Sequence, residues 1–294
     1  MIPAYECADT LPRTLRSVLQ QSPDIGEMQI AVIDDYSRQD LSKVVASVGQ
    51  GRVEYCRNAA NLGAIATFNV CVERARGHLV HVLHADDWVV PGFYQSLTLT
   101  AERHPKSGLY CCQSQIVDER EAVIDVTPFL VGLASPAHDA AGIAIENVLR
   151  TPAVVVRRTT YEQIGGFRPE LIHTADWEMW ARAITTQGGV MIPGALACYS
   201  ETSTNHTARL IRSAGNLEDC LRCADHLARV IPTFDHASFR ANLARRALDQ
   251  HVFFRKRGDL EASRANLVLW QRLATARAKV RRYLHAAVNR FVPP

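Results

Sequence analysis

The sequence predicts an α/β fold in which a mainly parallel sheet is covered by helices, followed by a helical C-terminal extension. Short apolar stretches that are typical of buried strands alternate with stretches whose apolar residues recur at helical spacing. Two of the apolar stretches end in paired aspartates, and helical periodicity alone continues after about residue 206. We therefore expect a catalytic or binding domain over residues 1–206 and a basic helical region over residues 207–294.

The first ninety residues supply the alternation of strands and helices. Met1 to Tyr5 has the composition of a strand end, so we expect the first strand to be truncated at the N-terminus. The remaining elements follow from apolar runs and helical spacing, with strands expected over 29–33, 53–56 and 79–83 and helices over about 11–19 and 64–76.

The strand over 79–83 runs directly into Asp86 and Asp87. Ligands of open α/β sheets bind outside the carboxyl ends of the strands, which is where these acids fall. Two adjacent carboxylates repel each other unless a cation offsets their charge, and Mg²⁺ or Mn²⁺ prefers such oxygen ligands. The alternative is a strand-end turn followed by a helix cap, because Asp is common at both positions.

Several other kinds of site are excluded or disfavoured. Neither pair of acids is followed by the glycine-rich turn of a dinucleotide site, and no P-loop or H-E-x-x-H motif occurs. The eight cysteines have no regular spacing, which favours reduced thiols. No apolar run reaches the ~20 residues that span a bilayer. We therefore expect a cytoplasmic protein, peripheral at the inner face of a membrane if it binds one.

A set of short motifs occurs in a fixed order over about residues 1–205. They are Ile2-Pro3-Ala4-Tyr5, Val32-Ile33-Asp34-Asp35-Tyr36-Ser37, Asn61-Leu62-Gly63 with Asn69, Leu83-His84-Ala85-Asp86-Asp87, Thr151–Arg158, Ile164-Gly165-Gly166-Phe167 and Asp176-Trp177-Glu178-Met179-Trp180. Taken together, this ordered set resembles family 2 glycosyltransferases, whose Rossmann-like fold is called GT-A.

The resemblance implies a role for each matching residue. The nucleotide-sugar donor would be bound by Pro3, Tyr5, Asp35, Asn61 and Asp86. A DXD-like pair, Asp86 and Asp87, would hold the divalent cation, with His206 as a further candidate ligand. By the same resemblance, Asp176 would be the catalytic base.

The implied activity is inverting transfer of a sugar from a nucleotide-diphosphate sugar, UDP-linked, to a hydroxyl acceptor in polysaccharide or glycoconjugate biosynthesis. One positioned carboxylate that removes the acceptor proton gives direct displacement and inversion. The alternative is a non-catalytic GT-A-like module that binds a nucleotide or a partner. Two features keep it open: the first strand lacks its expected start, and Thr174-Ala175 replaces an acid that often precedes Asp176. A further departure, His84 where many members have an aspartate, bears on metal dependence.

Four residues of these motifs have a structural interpretation as well. Asp176 begins a predicted helix, where Asp is a good N-cap. Trp177 and Trp180 share one face of that helix and are expected in the core. Likewise, His84 either approaches the donor or is a structural histidine.

The charge distribution is uneven. From Arg240 onward the chain has 13 basic and 3 acidic residues, a balance of +10, while residues 1–239 have 20 and 27, a balance of −7. A basic amphipathic helix over about 269–291 predicts contact with an anionic membrane surface, which would suit a lipid-linked acceptor. The alternative is a solvated helical appendage. Nucleic-acid binding is not expected, because neither aromatic residues nor a helix-turn-helix pattern accompanies the charge.

Overall fold

A computed structural model describes residues 1–22, 26–130, 146–202 and 206–276. The strands are β1 (Ile2–Ala4), β2 (Ala31–Asp34), β3 (Glu54–Arg57), β4 (Leu79–His81), β5 (Trp88–Val89), β6 (Leu109–Val117), β7 (Val123–Val126), β8 (Val154–Arg157) and β9 (Gly189–Ser200). The α-helices are α1 (Leu11–Leu19), α2 (Leu41–Gly49), α3 (Ala64–Arg74), α4 (Phe93–Arg103), α5 (Arg158–Ile164), α6 (Ala175–Gln187), α7 (His206–Arg212), α8 (Gly215–Val230), α9 (His236–Lys256) and α10 (Leu260–Leu273).

The sheet has two parts, one with parallel strands and one with strands in both directions. Strands β1, β2 and β3 pair in parallel, with Ile2 opposite Val32 and Val32 opposite Tyr55. Two backbone hydrogen bonds join this part to the strand before the acids: the Met1 amino group donates to the His81 carbonyl at 2.8 Å, and the Leu83 N–H donates to the Met1 carbonyl at 3.0 Å. In the second part of the sheet, the strand order is β4-β8-β6-β9-β5, and β7 pairs with β6.

The α/β class is confirmed, but the second part of the sheet is not mainly parallel. Strand β8 runs antiparallel to β4 and β6, β5 runs antiparallel to β9, and β7 runs antiparallel to β6. Among the strands of the described residues, only β6 and β9 are parallel there. The local periodicity that predicts a strand does not carry its direction, which depends on how distant segments pair. Residues 109–112 and 115–117 belong to one strand, β6, whose polar Gln113 is half-buried.

Helices cover both faces of the sheet. Apolar residues of α1, α2 and α4 pack on one face. On the other face, apolar residues of α3, α6, α8, α9 and α10 form one continuous cluster. Trp177 and Trp180 are each only 1% exposed, so both belong to the core as expected.

The C-terminal helices share the core with the first 200 residues. The ring of Trp177 on α6 lies 5.8 Å from that of Phe239 on α9. The boundary at residue 206 stays a prediction, and most of the basic stretch that predicts membrane contact, residues 277–294, lies outside the described residues. Within the described part of the chain, no helix has both the length and the apolarity needed to cross a bilayer.

Candidate functional site

The paired acids lie in a tight turn between β4 and β5, which we call the acid turn (residues 84–87). The Asp87 N–H donates to the His84 carbonyl at 3.1 Å and closes the turn. Asp86 is half-buried, whereas Asp87 is 1% exposed. The next helix begins at Phe93 after Gly92, so neither acid caps it, and the helix-cap alternative is wrong.

The carboxylate of Asp87 is incompletely neutralised. One oxygen, Oδ1, accepts the Ser200 N–H at 2.8 Å. No hydrogen-bond donor among the described residues reaches Oδ2, and His84 Nδ1 lies 3.5 Å from it. Burial, together with the neighbouring charge of Asp86, raises the pKa of Asp87 well above its usual range. Removing a carboxylate from water in this way is costly, so the arrangement fits a site that receives a positive charge.

His84 completes a possible set of cation ligands. One ligand atom each from His84, Asp86 and Asp87 lies within 4.8 Å of the others. Burial lowers the pKa of His84, although the charges of Asp86 and Asp176 oppose that shift. The neutral imidazole that results can coordinate a metal, and its buried Nε2 has no hydrogen-bond partner among the described residues. Its ring also stacks on Phe68 at 5.0 Å, which fixes its orientation.

Two side chains of helix α1 hold the acid turn by hydrogen bonds to the backbone carbonyls of the turn. The Thr14 hydroxyl lies within hydrogen-bond distance of the carbonyls of Ala85 and Asp87, at 3.0 and 2.7 Å. The Arg13 guanidinium donates to the Asp86 carbonyl at 2.6 Å and lies 3.8 Å above the ring of Trp88. Arg13 also pairs with Glu121, in the turn between β6 and β7, at 2.6 Å.

Replacing Arg13 should loosen the acid turn. We expect Arg13→Gln to weaken Mn²⁺ binding by about 10-fold or more, the usual effect of removing a group that orients metal ligands. We also expect a loss of about 1–3 kcal/mol in the free energy of unfolding, because a charged hydrogen bond is lost. Calorimetric titration with Mn²⁺ and urea unfolding measure the two effects. Arg16→Gln, at an exposed position on the same helix, is the control. Equal behaviour of the two variants would contradict the role assigned to Arg13.

A second cluster forms where β2 ends. The Asp35 carboxylate accepts three hydrogen bonds, from the N–H groups of Leu62 and Gly63 at 2.8 and 2.9 Å and from Asn58 Nδ2 at 2.9 Å. Asn61 Nδ2 donates to the Asp35 carbonyl at 3.0 Å, so two of the expected donor-binding residues are in contact.

Two further donor candidates lie on or just after the neighbouring strand. Pro3 is buried in β1, opposite Ile33. The side chain of Tyr5 follows β1 and is 52% exposed, so it is accessible to a ligand.

Asp176 lies in the first turn of α6 and is half-buried. The N-cap of this helix is Thr174, which makes the N-cap interpretation of Asp176 wrong. One carboxylate oxygen, Oδ1, accepts the Trp177 N–H at 2.7 Å. The other, Oδ2, accepts hydrogen bonds from Asn147 Nδ2 at 3.2 Å and Thr151 Oγ1 at 3.3 Å.

Electrostatic interactions link several of these groups. The charges of Asp86 and Asp176 both act on His84. Burial raises the pKa of Cys7 to about 12, and the charges of Asp86 and Asp34 contribute to the shift. The acid turn is therefore close enough to Asp176 and to Asp34 for their charges to act on shared neighbours. The expected ligand His206 begins α7, but its side chain lies outside the described residues.

The sequence pattern did not single out Arg13, Thr14, Asn147 or Ser200. Arg13 and Thr14 belong to an amphipathic helix, where a polar residue is expected on the solvent side. Thr151 belongs to the motif Thr151–Arg158, but nothing in that motif predicts its hydrogen bond to Asp176. These contacts join residues far apart in the chain, and no local signal predicts them.

Comparisons with known proteins agree with this geometry. Residues 1–127 match the family model described as Glycosyl transferase family 2. An uncharacterized protein of Mycobacterium tuberculosis is 28% identical over 230 residues, which are 74% of this chain and 71% of that protein. The succinoglycan biosynthesis protein ExoU of Rhizobium meliloti is 36% identical over 94 residues, 31% of this chain and 27% of its own length.

A further relative is a named glucosyltransferase. It is the UDP-Glc:alpha-D-GlcNAc-diphosphoundecaprenol beta-1,3-glucosyltransferase WfaP of Escherichia coli, 29% identical over 90 residues, 31% of this chain and 35% of its own length. This chain thus matches only about a third of the length of ExoU and of WfaP.

Solved structures resemble nearly the whole chain. TarS 1–349 of S. aureus in complex with UDP-GlcNAc has a TM-score of 0.59 and 12% identity, covering 92% of this chain and 90% of that one. The mannosyltransferase PcManGT of Pyrobaculum calidifontis in complex with GDP-Man and Mn²⁺ has a TM-score of 0.55 and 14% identity, covering 99% and 80%. This likeness confirms the expected GT-A fold.

Proposed function

Because the chain belongs to glycosyl transferase family 2, we propose that it is an inverting transferase that moves a sugar from a UDP-sugar to a hydroxyl acceptor. The observation that carries this proposal is the acid turn, where ligand atoms of His84, Asp86 and Asp87 lie within 4.8 Å of one another. Asp176 is the candidate base, and it lies near enough for its charge to act on His84.

The residues of the acid turn fit a divalent cation. Asp86, Asp87 and His84 would hold Mn²⁺ or Mg²⁺, and the bound ion would offset the charge of the departing diphosphate. The orphaned Oδ2 of Asp87 and Nε2 of His84 support this assignment, because both are buried atoms that a metal could satisfy. The carboxylate oxygens suit Mn²⁺ and Mg²⁺ alike.

Asp176 would act as the base. Its Oδ2 is oriented by Asn147 and Thr151, and each contact is longer than 3.1 Å. A carboxylate oxygen positioned in this way could take a proton from an acceptor hydroxyl. A single carboxylate on the side opposite the leaving group gives inversion, since no second carboxylate forms a covalent intermediate with the sugar.

The β2 cluster supports a uracil nucleotide. A carboxylate has about four acceptor positions, and three of those on Asp35 are used by Asn58, Leu62 and Gly63. One position remains, which matches the single imino N–H of uracil. Guanine presents two adjacent donors and would leave one of them unpaired, at a cost of about 1–3 kcal/mol if buried.

Thermal unfolding with nucleotides tests this proposal. We expect UDP with Mn²⁺ to raise the melting temperature, because a ligand at 100 times its dissociation constant stabilises the native state by about 2.7 kcal/mol. GDP with Mn²⁺ should give a smaller shift, and UDP with EDTA almost none. An equal shift with GDP, or a UDP shift that ignores Mn²⁺, would contradict the assigned donor site.

The non-catalytic alternative is tested by product formation. A transferase should release UDP from a UDP-sugar in the presence of Mn²⁺, slowly to water and faster with its acceptor. A binding module would show the thermal shift without any UDP release. We propose a saccharide or lipid-linked acceptor, in polysaccharide or glycoconjugate biosynthesis. The roles of ExoU in succinoglycan biosynthesis and of WfaP, whose acceptor is diphosphoundecaprenol-linked, support this choice.

A further inference from the structure

A buried aspartate of the C-terminal helical region contacts the segment that leads into the proposed base. Asp219 lies on α8 and is fully buried. Its Oδ2 accepts hydrogen bonds from the N–H groups of His173 and Thr174 at 2.8 and 2.9 Å, and from the Thr174 hydroxyl at 2.8 Å. Its Oδ1 accepts a longer bond, 3.3 Å, from the Ile172 N–H.

These bonds hold the residues that lead into α6. Thr174 is the N-cap residue; its hydroxyl donates to Asp219 and makes no capping bond to its own helix. A carboxylate from another helix thus fixes residues 172–174, and its negative charge is favourable near a helix N-terminus. Asp176 follows two residues later on that helix, so its position depends on where this segment is held.

The charge of Asp219 is balanced within the same cluster. Arg222, one turn along α8, donates to Oδ1 from Nη2 at 2.8 Å and from Nε at 3.2 Å. Burial works to raise the pKa of Asp219, but the hydrogen bonds from His173, Thr174 and Arg222 outweigh it, and the pKa lies below its usual range. The carboxylate therefore stays ionised and remains a full acceptor at neutral pH.

We propose that Asp219 is a positioning residue for the Asp176 carboxylate, which makes the helical region after residue 206 part of the catalytic unit. This inference rests on the proposed function. It does not depend on the acid turn or on the bound cation, since all of its contacts lie between α8 and the start of α6. It also assigns a role in catalysis to a region that the sequence describes only as basic and helical.

The test is a double-mutant cycle that compares four proteins: the wild type, Asp219→Asn, Asp176→Asn and the double variant. Asparagine keeps the shape of Asp219 but loses half of its acceptor oxygens, so the 172–174 segment should shift. A misplacement of about 1 Å can cost on the order of 100-fold in rate. We expect Asp219→Asn to lower kcat by about 10- to 100-fold, with the UDP dissociation constant changed less than about 3-fold. In the Asp176→Asn background it should cause no further loss of rate.

Asp225→Asn is the matched control, because it makes the same change at an exposed position on the same helix and should leave kcat unchanged. Thr174→Val is a milder second variant that removes one bond to Asp219, and an intermediate loss of kcat is expected. It provides the readout if Asp219→Asn does not fold.

Two results would overturn the proposal, and both are distinct from failure of the proposed function. One is an unchanged kcat in Asp219→Asn alongside a lowered rate in Asp176→Asn. The other is a loss of rate that is equally large with and without the Asp176 carboxylate, which a merely structural role would give. A wild-type rate in Asp176→Asn would instead overturn the assignment of the base itself.

Discussion

Replacing Asp176 with asparagine should lower the rate of sugar transfer by about 10²- to 10⁴-fold, the usual contribution of a positioned general base. Asparagine has nearly the same shape and can still accept the Trp177 N–H through its oxygen. It cannot accept a proton from the acceptor hydroxyl at neutral pH. Because Asp176 does not belong to the β2 cluster, the affinity for UDP should stay within about 3-fold of the wild type.

The measurement is UDP release from a UDP-sugar with acceptor and Mn²⁺ present, together with calorimetric titration of UDP. Asp225→Asn again serves as the control for a lost surface charge. If Asp176→Asn transferred sugar at the wild-type rate, Asp176 would not be the base. If the wild type released no UDP either, the non-catalytic alternative would be favoured.

Replacing Asp87 with asparagine should have opposite effects on stability and on metal binding. The wild-type side chain is a buried carboxylate with one oxygen that lacks a donor among the described residues. Asparagine keeps the acceptor for the Ser200 N–H and removes the charge. We expect the metal-free protein to gain about 1–3 kcal/mol in the free energy of unfolding, since a poorly compensated buried charge disappears. At the same time, the affinity for Mn²⁺ should fall by about 100-fold or more, because a charged ligand is lost.

Urea unfolding in EDTA and in Mn²⁺ separates these effects. The wild type should become more stable when Mn²⁺ is added, whereas Asp87→Asn should be more stable in EDTA and insensitive to Mn²⁺. Asp118→Asn, in the turn after β6, changes an aspartate outside the acid turn and should leave the Mn²⁺ response intact. A less stable Asp87→Asn in EDTA would mean that the carboxylate is compensated in a way that its present contacts do not explain.

Prediction from the sequence was most effective for the local elements. The helix with Leu11, Leu15 and Val18 on one face and the strand before the acids are present as expected. Apolar periodicity predicts them because each element buries its own residues along one face, whatever its neighbours are. The acids at the ends of β2 and β4 could be identified for the same reason, and the ordered motifs indicated Asp176.

What the sequence alone determined, then, was the α/β class, the elements of the first ninety residues and the candidate acids that follow two of the strands. The tertiary structure decided four other features. They are the direction of β8 relative to β4 and β6, the burial of Asp87, the support of the acid turn by Arg13 and the contact of Asp219 with the start of α6. The physical reason is the range of the interactions. Periodicity records which face of an element is apolar, whereas these four features depend on contacts between residues 43 to 113 positions apart, which meet only when the chain has folded.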